Sequence, residues 1–418
     1  MLNGLVDSIL SHRNHFPKLV NRAIDYIAEH PGGLMGRIAA RRMGSTRNTS
    51  IPEVSTVADL PIRVLIAPAN YAGQGRLWAR SLEDSGAGIS ARNMAVDVPG
   101  GFSFPADLIV PVAAYHNSRQ WQQGQFRAVQ GFTHVLIEAE EPLFGRLFDR
   151  DVAAEVARLT GSQVNVAFMC HGTDIRLPSR HIERTPWSPY RDSKTYVARL
   201  ERLARVHREL LDRFGLPTFV STPDLLWDVP SAKWCPVVVD LDAWSIPEAG
   251  TGARSRLRVV HAPTSSLIKG TELIEPVLKH LHDREIIEYS PIVNVPSEQM
   301  PQVYRHADVV LDQFRLGSYG VAACEAMAAG RLVIGHVLDD VRETVLRATG
   351  KALPVLEATA DSLESVLLAI AGDQGQLLRS RRAGIEFVSA VHDGRMSSKI
   401  LKDNWLEPLD RERKSAAN

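Results

Sequence analysis

The sequence predicts an α/β protein built from two facing Rossmann-like domains, on three observations. Short apolar runs of strand length alternate with helical patterns from residue 62 onward, and the alternation stops near residue 245 and restarts at 257. At 418 residues the chain also exceeds the size at which a single core keeps growing.

The first series opens with "IRVLIA" (62–67), a continuous apolar run that reads as a strand buried on both faces. A glycine loop and a helix follow in "PANYAGQGRLWARSLEDSG", and further strands are expected in "NMAVDV", "ADLIVPV", "HVLIEA", "VNVAFMC" and "TFVSTP". Between them "SRQWQQGQFRAV" and "DVAAEVARLTG" carry helical spacing, and "YVARLERLARVHRELLDRFG" is a long amphipathic helix closed by Gly215. After the Pro/Gly/Ser-rich "SIPEAGTGARSR" the second series runs through "LRVVHAP", "TELIEPVLKHLH", "EIIEYS", "SEQMPQVYRHA", "DVVLDQF", "VAACEAMAAG" and "LVIGHV". The expected organisation is a helical extension and linker over 1–60, one domain over 61–245, a second over 246–392, and a C-terminal helix over 393–418 crossing back to the first domain.

Bulk composition excludes several classes. Lys plus Arg (48) balance Asp plus Glu (48), so charge gives no reason to expect a nucleic-acid partner. No stretch reaches the roughly 20 apolar residues that span a bilayer, and the N-terminus lacks the order of a signal peptide, so a cytoplasmic location is expected. Cys170, Cys235 and Cys324 are scattered among small and apolar neighbours and read as core residues in a reducing compartment. The segment holding Arg13, Lys18, Arg22, Arg37, Arg41, Arg42 and Arg47 is basic and helical. It reads either as a solvated extension or as a peripheral contact with the inner, anionic face of a membrane.

Ligands of open parallel sheets settle at the carboxyl ends of strands, where helix N-termini offer free N–H groups. Three loops qualify. Gly73 and Gly75 follow the first strand; Trp78 stands where the dinucleotide fingerprint needs its third glycine, so a Rossmann oxidoreductase is disfavoured and a tight turn explains the pair as well. "HAPTSSLIKGTE" (261–272) offers the Lys269 charge with hydroxyls on Thr264, Ser265 and Ser266, suited to a diphosphate or simply to capping a helix. "LGSYGVAACEAMAAG" (316–330) places Ser318, Tyr319 and Gly320 before a helix that carries Glu325, which suits an anion and a pair of vicinal hydroxyls, or a half-buried acid satisfied locally. No His/Cys/Asp/Glu spacing indicates a metal site; "DLD" (240–242) reads as a turn, and "IEAEEPLFG", with Glu138, Glu140 and Glu141, as a solvated loop or an acceptor contact.

Taken in order, "PVVVDLDAW", "HAPTSSLIKGTE" and "VPSEQMPQVYRHADVVLDQFRLGSYGVAACEAMAAGRLVIG" resemble the C-terminal half of GT-B glycosyltransferases, in particular the retaining, family 4-like group. The resemblance covers about residues 215–345 and extends more loosely over 60–215. It implies a nucleoside diphosphate sugar as donor on the second domain, and a glycan, lipid-linked or small-molecule acceptor on the first. It also implies transfer with retention and no required cofactor or metal. Lys269 would contact the diphosphate, the amides of "GSYG" its phosphates and Glu325 the ribose, while "FMCHGTDIR" would bring His171 and Asp174 to the reaction centre. Two departures stand out. Gly317 replaces the first glutamate of the family's pair, leaving backbone donors, Gln313, Ser318 or Tyr319 to hold the sugar. Thr264 replaces an arginine, with Arg315 and Arg176 as substitutes. These losses keep a second expectation open, a sugar-nucleotide-binding or scaffold protein with little transferase activity.

Overall fold

The computed structural model describes residues 51–98, 104–192, 197–245, 256–263, 265–293 and 295–406. The basic N-terminal segment, Thr264 and the last twelve residues therefore lie outside the described residues.

Among the described residues twelve strands form two sheets, and the pairs whose register is given below are parallel. The first holds β1 (Ile62–Ala67), β2 (Ile89–Asp97), β3 (Leu108–Pro111), β4 (His134–Glu138), β5 (Asn165–Cys170), β6 (Thr218–Val220) and β7 (Lys233–Trp234), in the order β3-β2-β1-β4-β5-β6-β7. The second holds β8 (Leu257–His261), β9 (Ile287–Pro291), β10 (Val309–Leu311), β11 (Leu332–Gly335) and β12 (Val355–Glu357), in the order β12-β11-β10-β8-β9. In register, Val64 pairs with His134 and Val309 with both Val259 and Leu332. The chain divides into two compact units, Met1–Phe168 and Met169–Asn418, the division falling inside β5.

The strands are where continuous apolar runs put them because both faces are covered. Val64, Leu65, Ile66 and Ala67 are all 0% exposed. In the second unit, Leu257, Val259, Val309 and Leu311 pack against Ile274, Leu278 and Leu281, which recur at helical spacing on Thr271–Asp283. Each such side chain contributes about 1.5–3 kcal/mol on burial. The amphipathic helix spans Val197–Phe214 and stops at Gly215, whose φ of +57° is the left-handed conformation glycine adopts freely. Sequence reading missed β7 and β12, two and three residues long, because neither carries enough period to stand out.

Toward the C-terminus, helix Arg395–Leu401 runs on into a π-helical segment, Lys402–Leu406. It returns to the chain just after β7: Ser397 Oγ donates to the Pro236 carbonyl at 2.7 Å, and Val239 N–H donates to His392 O at 2.8 Å. All three cysteines are buried, and none is in a disulfide.

Candidate functional site

The strand order of the second sheet predicts where a ligand sits. The chain leaves β8 toward β9 on one side, while β10 begins the other side, so the loops after β8 and β10 diverge and open a crevice at their carboxyl ends. Into it run the short helix Ser266–Lys269, capped by Ser265 and ended by Gly270 at φ +82°, and the segment from Asp312 to the helix Val321–Ala328. Two of the three predicted loops thus converge, although 43 residues separate Lys269 from Asp312.

Lys269 pairs with the Asp312 carboxylate, which is 3% exposed and whose Oδ2 has no hydrogen-bond partner among the described residues. Glu325 stands in the same electrostatic neighbourhood. Burial pushes its carboxyl up to about 8, with Lys269 pulling it down and Asp312 raising it further. Near neutral pH Glu325 is therefore a neutral acid, able to donate one hydrogen bond and accept another. Sequence reading expected a carboxylate there and overlooked Asp312, hidden at the end of the apolar run "DVVLDQF".

The loop between Asp312 and the helix is built from within. Gln313 is buried, and its Oε1 accepts from the N–H groups of Arg315 (3.2 Å) and Leu316 (2.6 Å). Its Nε2 donates to the carbonyls of His336 (2.9 Å) and Ser318. Gln313 shapes the loop and has no amide to spare for a sugar. Tyr319 is 3% exposed and faces inward, its hydroxyl 3.3 Å from His392 Nε2, so the expectation that it offers a hydroxyl to the donor is corrected. Ser318 is buried, and its hydroxyl is among the groups that hold the Asp224 carboxylate below the usual range. Gly320, in contrast, has open space where a side chain would stand and starts the eight-residue helix with no side-chain cap, leaving its first N–H groups to a ligand.

Gly317 has a geometric cause. Its φ is +69°, and a Cβ there would lie 2.6 Å from Leu338 Cγ. The acid that the resemblance places at 317 is excluded by backbone conformation and by Leu338 together.

From the end of β5, Asp174 accepts the N–H groups of His171 (2.8 Å) and Gly172, so its carboxylate folds the loop that presents half-buried His171. Arg176, a suggested substitute cation, is instead buried against Asp224, its Nε and Nη2 lying 3.2 and 2.6 Å from Oδ2. Burial works to raise the Asp224 pKa, but Arg176, Ser318 and Thr222 hold it below the ordinary value. Arg315 reaches the Leu267 carbonyl (3.3 Å) beside the Lys269 helix and Asp192 (3.5 Å). His181, which sequence reading missed, pins the two loops: Nε2 lies 3.0 Å from Leu316 O and Nδ1 2.8 Å from Ser188 Oγ. The carbonyl can only accept, so Nε2 carries the proton and Nδ1 accepts from Ser188. Burial, reinforced by Arg176, pushes the His181 pKa down to about 4 and keeps it neutral.

In the first unit the switch point of the sheet lies between β1 and β4. Gly73 (φ +74°) precedes the helix Gln74–Asp84, and a Cβ on Gly75 would stand 2.5 Å from Asn93 Nδ2 and 2.8 Å from Glu138 Oε2. Gly73 therefore serves a left-handed turn, and Gly75 a tight internal fit with a buried carboxylate at the helix N-terminus, which is poor company for a diphosphate. Glu138 and Glu140 are 0% and 2% exposed, which corrects the solvated-loop reading. Asp240 accepts from Asp242 and Ala243 N–H (3.1 Å each), capping the short helix Leu241–Trp244.

No family model matches this chain, and no curated protein does. Solved structures match it over most of its length. Sucrose-phosphate synthase from Thermosynechococcus elongatus is 12% identical with a TM-score of 0.53, covering 85% of this chain and 100% of that one. HepE from Anabaena, in complex with UDP-glucose, is 10% identical with a TM-score of 0.51, covering 82% and 99%. The chain has the GT-B fold. An alpha-glucosyltransferase in complex with UDP and a DNA 13-mer containing an HMU base is also 10% identical, with a TM-score of 0.51 over 82% and 98%. The GT-B fold is thus compatible with a nucleic-acid ligand, and the exclusion drawn from charge balance gains no support. Among the described residues no helix is long and apolar enough to cross a membrane.

Proposed function

We propose that the protein is a glycosyltransferase that moves a sugar from a nucleoside diphosphate sugar to an acceptor. The observation that carries this reading is the crevice after β8 and β10, where the Lys269–Asp312 pair, the neutral acid Glu325 and the uncapped helix start at Gly320 converge. Lys269 and the helix N-terminus suit the two phosphates, and Glu325 suits the ribose diol. Titratable groups with shifted pKa values gathered at a switch point are a recognised mark of a functional site. Neighbours of the same fold carry UDP or UDP-glucose, which makes uridine diphosphate sugars the first donors to try. Catalysis then rests on orienting the donor and stabilising the departing diphosphate, with His171 near the transferred hexose. Retention of configuration and independence of metal belong to the same proposal, as do a glycan, lipid-linked or small-molecule acceptor and a cytoplasmic setting.

One observation favours a second reading, a sugar-nucleotide-binding protein without efficient transfer. Leu338 fills the space beside Gly317, and Asp174 is committed to its own loop, so the site offers fewer groups for a reacting sugar. A panel of nucleoside diphosphate sugars, assayed for binding by calorimetry and for nucleotide release with cell extract as acceptor, separates the two. Binding with release is expected; saturable binding without release under every acceptor condition supports the second reading, and no binding removes both.

A further inference from the structure

A groove of about 840 Å³ lies in the second unit between the region of β7, helix Asp339–Thr349 and helix Arg395–Leu401. The helix Asp339–Thr349 follows β11, so its last turn, which lines the groove with Thr349 and Lys351, lies toward the amino end of β12. The groove thus stands apart from the carboxyl-end crevice, and its volume is that of a small-molecule site.

Its chemistry has three parts. Leu226, Met396 and Ile400 supply an apolar wall. Lys233 and Lys351 are exposed and lie on separate elements, and neither makes an ion pair among the described residues, whereas Arg395 and Lys399 are already paired with Asp393 and Asp403. Trp234 is 6% exposed, and its indole N–H has no acceptor among the described residues. Apolar wall, two uncommitted cations and one unmet buried donor form a complementary set for an amphiphile with an acidic head.

We infer that this groove binds an anionic lipid, its chain against Leu226, Met396 and Ile400 and its acidic headgroup held by Lys233 and Lys351, with an oxygen accepting from Trp234. An acidic peptide fits less well, because its backbone brings many polar groups against Leu226, Met396 and Ile400, whose side chains offer no hydrogen bond. The chain's own segments outside the described residues fit poorly too. Residues 1–50 carry an excess of Arg and Lys, the same sign as the rim, and 407–418 ("EPLDRERKSAAN") has balanced charge and Leu409 as its sole large apolar residue.

The test uses the full chain and short-chain phosphatidylglycerol below its micelle threshold, with the matching phosphatidylcholine and inorganic phosphate as comparators. Binding is followed by calorimetry and tryptophan fluorescence. Saturable binding of phosphatidylglycerol is expected, at least about tenfold tighter than phosphatidylcholine and weakened about tenfold by the double change Lys233→Glu, Lys351→Glu. Trp234→Phe should weaken it further while keeping the ring. Both lysines are exposed, so the double variant should keep its circular dichroism spectrum and melting temperature. Four results would overturn the inference: no saturable binding, equal affinity for the two lipids, displacement by inorganic phosphate alone, or undiminished binding by the double variant, which would locate the attraction elsewhere.

Discussion

The two sheets present the same topological opportunity and treat it in opposite ways. At the β1/β4 switch point the helix start at Gly75 is filled by the protein's own Asn93 and Glu138. At the β8/β10 switch point the helix start at Gly320 is open, in the crevice that also holds the Lys269–Asp312 pair. A glycine ahead of a helix thus has two physical uses, to let the chain pack on itself or to let a foreign anion approach. The sequence "GQG" and the sequence "GSYG" do not tell them apart. What separates them is that Asn93 and Glu138 already fill the space a side chain would take at Gly75, whereas nothing stands within 4 Å of that position at Gly320.

The sharpest way to disturb the second site is through its foundation. Asp224→Ala leaves Arg176 buried without its counter-charge and should cost about 3–5 kcal/mol, read as a lowered denaturant midpoint. Partial recovery in the double change Arg176→Met, Asp224→Leu would show that the unpaired charge is the cause. The next effect tests the comparison directly. Gly75→Ala forces a methyl against Asn93 and Glu138 and should cost about 1–3 kcal/mol without altering nucleotide affinity. Gly320→Ala has room and an extended backbone, so stability should stay within about 0.5 kcal/mol while nucleotide affinity falls. Reversal of that pattern would move the ligand site to the first sheet.

A further effect is in pH. Glu325 has a folded pKa of about 8, above its unfolded value, so the folded state holds the extra proton and stability declines as pH rises from the ordinary carboxyl range through 8. Ionisation also places a negative charge beside the diphosphate. Donor affinity should therefore weaken above pH 8 in the parent and stay flat in Glu325→Gln, as measured by calorimetry across that window. The neutral histidines act in the other direction. His181, His261 and His392, each driven down to about 4 by burial, contribute stability that is complete above their ordinary pKa near 6.5 and is lost as pH falls toward 4.

Much of the fold was legible because buried parallel strands write themselves as apolar runs: β1, β8 and β10 need no tertiary information to be seen. The Lys269 and Glu325 loops were legible for a related reason, since glycine and small residues at strand ends mark a turn. What was not legible depends on partners distant in sequence. The inward turn of Tyr319 is set by His392, 73 residues on, and the commitment of Gln313 is set by a loop whose shape Gly317 creates. Asp312 looked like the tail of a strand because its role appears only when Lys269 arrives from the neighbouring loop. Asp174 was expected at the reaction centre, yet its carboxylate is occupied by two backbone N–H groups one turn away.

The fit of Leu338 against Gly317 also constrains the engineering of this site. A glutamate cannot enter position 317 while Leu338 stands 2.6 Å from where its Cβ would be, and a backbone at φ +69° penalises any side chain there. Shrinking Leu338 first would merely leave a void beside a glycine. Each single change should therefore cost stability, so the two positions are energetically coupled. Restoring the paired-acid arrangement in the laboratory requires changing both positions and relaxing the loop at once.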